Sequence, residues 1–140
     1  MTKDQAYQAM YCIVLGAEPE GQKFVEMAVN NDHEVTLIEQ DEDKARKILQ
    51  QNSIRVLVGS ISQAEILQEA EIARADAVIA TTYDDAQNLM AMMLAKENGV
   101  AIKVTFVNQA AHGKIFEGLA AKVLHDPARI IAQKLYDLLD

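Results

Sequence analysis

Short, nearly unbroken apolar runs alternate along the chain with longer stretches in which apolar residues recur every three or four positions. The short runs are Tyr11 to Leu15, Glu34 to Glu39, Arg55 to Val58, Ala77 to Ala80, Ile102 to Val107 and Lys122 to Leu124. A strand covered on both faces has no need of polar positions, so this pattern predicts parallel strands inside a layered sheet. The intervening stretches carry helical spacing: Phe24, Val25, Ala28, Val29; Ala45, Ile48, Leu49; Ile66, Leu67, Ala70; Leu89, Met90, Met93, Leu94; and Ile115, Phe116, Leu119. Each predicts a helix that lays one stripe on the sheet. Strand, crossover helix, strand is the βαβ pattern. The expected fold is therefore α/β, a Rossmann-like three-layer αβα arrangement around a parallel six-stranded sheet of order 3-2-1-4-5-6.

Start and stop signals refine the boundaries. Ser62 with Glu65 reads as a capping box, Asp84 as the cap of the fourth helix, and Gly99 as its end. Asp126 followed by Pro127 opens a last helix whose apolar face holds Ile130, Ile131, Leu135, Leu138 and Leu139. Few neighbours remain in the chain to cover that face, so it is expected to dock on a second subunit, with packing on its own sheet as the alternative. No repeat or linker interrupts the series, so residues 1–140 read as one domain with residues 1–9 as a tail and 127–140 as a C-terminal helix.

Composition narrows the function. A formal charge of -8 and scattered Lys and Arg argue against nucleic acid, whose phosphates need a basic face. Met1 to Gln8 lack the pattern of a secretory leader, and Cys12 has no partner for an internal disulfide, which fits the cytosol. Cys12 lies in an apolar run as a packing residue, and His33, His112 and His125 show no metal-ligand spacing. No nucleophile with an adjacent base is visible, so catalysis and metal binding are not expected.

The chemistry concentrates after the first strand, which runs straight into Gly16-Ala17-Glu18-Pro19-Glu20-Gly21 and then a helix. In Rossmann folds this turn receives a pyrophosphate on the helix N-terminus. Glu39, about twenty residues beyond the first glycine, ends the second strand where an acid accepts from ribose hydroxyls. Thr81 and Thr82, with Asp84 and Asp85, follow the fourth strand at the switch point, where ligands bind in open sheets. The middle glycine of the fingerprint is replaced by Glu18, which brings negative charge to where an anion would sit. Two readings stay open: a nucleotide site, or glycines kept only for the turn and helix packing.

Val35-Thr36-Leu37-Ile38-Glu39, Val58-Gly59-Ser60, Ala64-Glu65-Ile66-Leu67-Gln68-Glu69-Ala70, Ala75-Asp76-Ala77-Val78-Ile79-Ala80 and Asn88-Leu89 together resemble the RCK or KTN domain, also called the TrkA N-terminal domain. The resemblance runs from Tyr11 to Leu139 and rests on the ordered series. It implies a cytoplasmic regulatory domain, held at the inner membrane face through a partner, that forms homo-oligomeric dimers or rings beneath a potassium channel or transporter. It also implies a cleft for NAD(H), AMP, ADP or ATP: Gly16 to Gly21 on phosphate, Glu39 on ribose, Gly59 with Ser60 near adenine, and Gln40 and Asn108 as further cleft residues. Relatives commonly carry Asp where Ser60 stands and Arg where Phe106 stands, so Glu18, Ser60 and Phe106 all reduce what a nucleotide would find. Two rival readings are a structural subunit with a vestigial site and the cofactor-binding part of an NAD-dependent oxidoreductase. In relatives the fourth helix, here bearing Met90, Met92 and Met93, contributes to dimer contacts.

Overall fold

The computed structural model describes residues 8–140, and the part of the expected tail before residue 8 lies outside them. Six parallel strands form one sheet of order β3-β2-β1-β4-β5-β6: β1 (Tyr11–Leu15), β2 (Glu34–Glu39), β3 (Arg55–Val58), β4 (Ala77–Ala80), β5 (Ile102–Val107) and β6 (Lys122–His125). The α-helices are α1 (Pro19–Asn30), α2 (Glu42–Gln51), α3 (Ala64–Glu69), α4 (Asp85–Glu97) and α5 (Pro127–Asp137). Side chains of β1 alternate between two cores. Cys12 and Val14 pack with Val25, Ala28 and Ile48 from α1 and α2. Ile13 and Leu15 pack on the other face with Ile66, Leu67, Ala91 and Met92 from α3 and α4. Burial pushes the Cys12 thiol up to about 11, with the charge of Asp76 adding to it, so Cys12 stays a neutral packing group.

Three expectations need correction. The crossover after β5 is not an α-helix but a 3-10 segment, Ala110–Phe116, followed by a turn. Gly118 at φ 85 and Ala120 at φ 54 leave helical backbone there and end the segment. Ser62 and Glu65 form no capping box: α3 starts from Gln63 with no side-chain cap, and Ser62 instead pairs its hydroxyl with Ser60 at 2.8 Å. The buried stripe of α4 is Asn88, Ala91, Met92 and Ala95, while Met90 and Met93 face outward, as does Leu49 on α2. Asp84 does cap α4, accepting from Ala86 N at 2.9 Å, and Asp126 caps α5, accepting from Arg129 N at 3.2 Å.

Two polar knots tie elements that the apolar pattern alone leaves loose. The Tyr11 hydroxyl donates to the carbonyl of Ala70 and lies 2.8 Å from Thr36 Oγ1, joining β1, β2 and the end of α3. At the start of α4, Asp85 Oδ1 accepts from Asn108 N and Asn108 Nδ2, both at 2.8 Å. Its Oδ2 accepts from Gln109 N at 3.0 Å and lies 2.7 Å from His112 Nδ1. Burial disfavours this charge, yet the donors from Asn108, His112 and Gln109 outweigh burial and hold the carboxyl below its usual range.

Both knots are testable. Tyr11→Phe leaves the buried Ala70 carbonyl without its donor and should cost about 1–2 kcal/mol in urea unfolding. Asp85 titrates lower in the folded chain than its unfolded value of about 3.9, so its contribution is complete above that pH and is lost as pH falls through the folded value. Asp85→Asn should therefore be less stable than wild type by roughly 1–3 kcal/mol at pH 7, with the gap narrowing below about pH 4. A gap that does not change with pH contradicts the assignment.

Candidate functional site

The cleft opens at the carboxyl ends of the strands, where the chain order reverses between β1 and β4. Its position follows from the turn after β1. Gly16 adopts φ 104, a conformation costly for any residue with a Cβ, and a Cβ there would also meet Thr82 Cγ2 at 3.0 Å. Gly21, in the first turn of α1, lies so close to the turn that a Cβ would meet Gly16 O at 2.1 Å and Thr81 Oγ1 at 2.6 Å. Thr81 is buried, its hydroxyl donating to Leu15 O at 3.0 Å, and so forms the floor under the turn.

A cleft of about 400 Å³ results, lined by Leu15, Gly16, Glu18, Ile38, Glu39, Gln40, Asp41, Lys44, Gly59, Thr82, Tyr83, Asp84 and Gln87. Of the residues singled out from sequence, Gly16, Glu18, Glu39, Gln40, Gly59, Thr82 and Asp84 lie on its surface. Ala17, Pro19, Glu20 and Gly21 shape the loop and the start of α1 without lining it, and Thr81 sits beneath. Ser60 is turned into its own loop, where its hydroxyl accepts from Ser62 N at 3.2 Å. Asn108 is held by Asp85, and Asp85 itself points at the loop after β5 rather than into the cleft.

Glu39 behaves differently from an open ribose acceptor. It is buried, and its two oxygens accept from Ala17 N and Asp41 N, both at 2.8 Å, clamping the turn after β1 to the turn after β2. Glu18 is not an isolated negative charge: its Oε1 receives Lys44 Nζ at 2.5 Å, and this contact holds the ammonium protonated above its ordinary range. Phe106 belongs to another surface. It is buried and lines an apolar groove of about 320 Å³ with Phe24, Ile79, Val104, Leu124, Ile130 and Ile131. Position 106 as phenylalanine therefore lies outside the lining of the cleft.

Sequence reasoning missed Lys44, Asp41, Tyr83 and Gln87. Asp41 caps α2, its Oδ1 accepting from Asp43 N at 2.9 Å and Lys44 N at 3.1 Å, which fixes where Lys44 starts. The acidic residue just before an amphipathic run was a readable cap signal. Tyr83 donates its hydroxyl to Glu20, 2.8 Å from Oε1, and that carboxylate pushes the phenol up to about 12. Asn88, buried at the base, accepts from Thr82 N at 3.0 Å and donates to Phe106 O at 3.2 Å, so β4 and β5 are joined directly behind the cleft.

α5 lies over the apolar groove without burying any residue; Leu135, Tyr136, Leu138 and Leu139 remain exposed. No helix among the described residues is long and apolar enough to cross a membrane.

The TrkA-N domain family matches this chain over residues 12–127. A Trk system potassium uptake protein TrkA homolog from Methanothermobacter thermautotrophicus is 26% identical over 130 residues, covering 93% of this chain and 60% of the relative. The homolog from Pyrococcus abyssi is 33% identical over 109 residues, covering 77% and 48%. The chain thus spans roughly half of these curated relatives. Among solved structures, the TrkA-N domain of the inner membrane protein ybaL from Escherichia coli superposes with a TM-score of 0.81 at 17% identity, covering 95% of this chain and 98% of that one. The GsuK channel bound to NAD superposes at 0.72 with 18% identity, covering 89% and 22%; another GsuK structure is bound to ADP. With the six-stranded order, the glycine turn and the family match in agreement, this chain belongs to the TrkA-N, or RCK, domain family.

Proposed function

We propose that residues 1–140 act as one cytoplasmic regulatory unit that binds an adenine nucleotide, NAD(H) or AMP, ADP or ATP, and passes its state to a membrane potassium channel or transporter through contacts between copies. The observation that carries this reading is the Gly16–Gly21 turn clamped to Glu39 at the switch point. The residues present suit the group. Gly16 leaves the turn free of a side chain, Gly21 lets α1 begin against it, and each oxygen of Glu39 has a further lone pair for a ribose hydroxyl. Gly59 and Gln40 offer the adenine end a wall of small and amide groups. GsuK, similar in fold, binds NAD and ADP.

Homo-oligomerisation is supported by the exposed apolar face of α5 beside an apolar groove. The membrane-spanning part would then belong to the partner, since no helix among the described residues is long and apolar enough to cross a membrane. A second reading, a structural subunit that binds no nucleotide, is favoured by one feature, the carboxylate of Glu18 in the phosphate turn.

Titration calorimetry with NADH, ATP, ADP and AMP separates the two. Saturable heat without turnover is expected for at least one, and silence across all four supports the structural subunit. Glu39→Gln replaces a charged acceptor and should weaken the bound nucleotide by roughly tenfold or more. Unchanged affinity removes Glu39 from the site.

A further inference from the structure

The carboxylates lining the cleft differ in what holds them. Both oxygens of Glu39 are taken by backbone donors, and Asp41 and Asp84 cap helices through backbone N–H groups. Moving any of these undoes local structure. Glu18 alone among them meets a side chain, Lys44 Nζ, and no backbone donor. Both partners are partly open to solvent, with side-chain exposures of 24% for Glu18 and 43% for Lys44, so the pair can separate without unfolding anything. Lys44 is also the one Lys or Arg among the described residues lining the cleft. Glu18 stands where the fingerprint places its middle glycine, the residue over which a ligand phosphate passes.

Resting on the nucleotide reading above, we propose that Glu18 is the specificity-determining residue of the cleft: its carboxylate occupies Lys44 in place of a ligand phosphate, and an anionic ligand is admitted only by exchanging with it. The exchange involves no bond making beyond hydrogen bonds and ion pairs. Lys44 leaves one anion for another, and Glu18 swings to water. The cost falls on the phosphate rather than on the nucleoside, because the adenine and ribose walls are untouched. The chain should therefore discriminate less between a nucleoside and its phosphates than a domain with glycine at this position.

The test is a double-mutant cycle by titration calorimetry with ADP and with adenosine, on wild type, Glu18→Gln, Lys44→Gln and the double variant, each checked for folding by thermal melting. Glu18→Gln frees Lys44 and removes a like charge, so ADP should bind about tenfold tighter while adenosine is unchanged. In the double variant the gain for ADP should vanish. If wild type binds ADP and Glu18→Gln binds it no more tightly, the exchange is wrong and the nucleotide reading stands. An equal gain for ADP and adenosine shows that Glu18 blocks the cleft by bulk and also overturns the exchange. If no folded variant binds either probe, the exchange falls, while the nucleotide reading falls only if NADH, ATP and AMP are silent as well.

Discussion

The architecture depends on one close approach, that of Gly21 to the carbonyl of Gly16. A Cβ at Gly21 would lie 2.1 Å from that oxygen, far inside contact distance, so α1 can start where it does only because the residue is glycine. From that contact the rest follows. The turn rests on Thr81 at the end of β4, which fixes the gap between β1 and β4 at the switch point. Once the turn is set, Ala17 N faces Glu39, and the second strand is drawn to the same place. The cleft is thus a consequence of backbone packing before it is a binding site.

This explains which parts were legible in the sequence. The sheet order and the strands were readable because strands buried on both faces leave continuous apolar runs, and β1 is buried throughout. Gly16, Gly21 and Glu39 were readable because their spacing is dictated by the same backbone contact. The crossover before β6 was misread, since Ile115, Phe116 and Leu119 have helical spacing but Gly118 and Ala120 take positive φ, and conformation overrides spacing there. The stripe of α4 was misplaced for a related reason. Its buried face is built around Asn88, a polar residue whose amide knits Thr82 to Phe106, and an apolar count passes over it.

The electrostatics of the cleft were the least legible part. From sequence, Glu18 and Glu20 are two like charges in a phosphate turn. In the folded chain they are drawn to opposite walls, Glu18 to Lys44 on α2 and Glu20 to Tyr83 in the loop before α4. Neither partner is near in sequence, at separations of 26 and 63 residues, so no local pattern announces them. Net charge of the chain, at -8, says nothing about this pairing, because screening and partner geometry decide what each carboxylate contributes.

The pairing also relates the cleft to the apolar groove. Tyr83 lines the cleft, whereas Glu20, which accepts its hydroxyl, lines the groove under α5 together with Phe24 of the same helix. The first turn of α1 is therefore common to both surfaces. Behind them, Asn88 bonds Thr82 on the cleft side and the carbonyl of Phe106 on the groove side. Two short hydrogen-bonded links thus span from the cleft lining to the groove beneath the uncovered helix. A displacement of the glycine turn would reach the groove through Glu20 and Phe24, since Gly21 has no slack against Gly16 to absorb it. Packed contacts of this kind shift between discrete arrangements rather than deforming smoothly, which is the property a regulatory domain needs if its cleft is to be felt at a subunit contact.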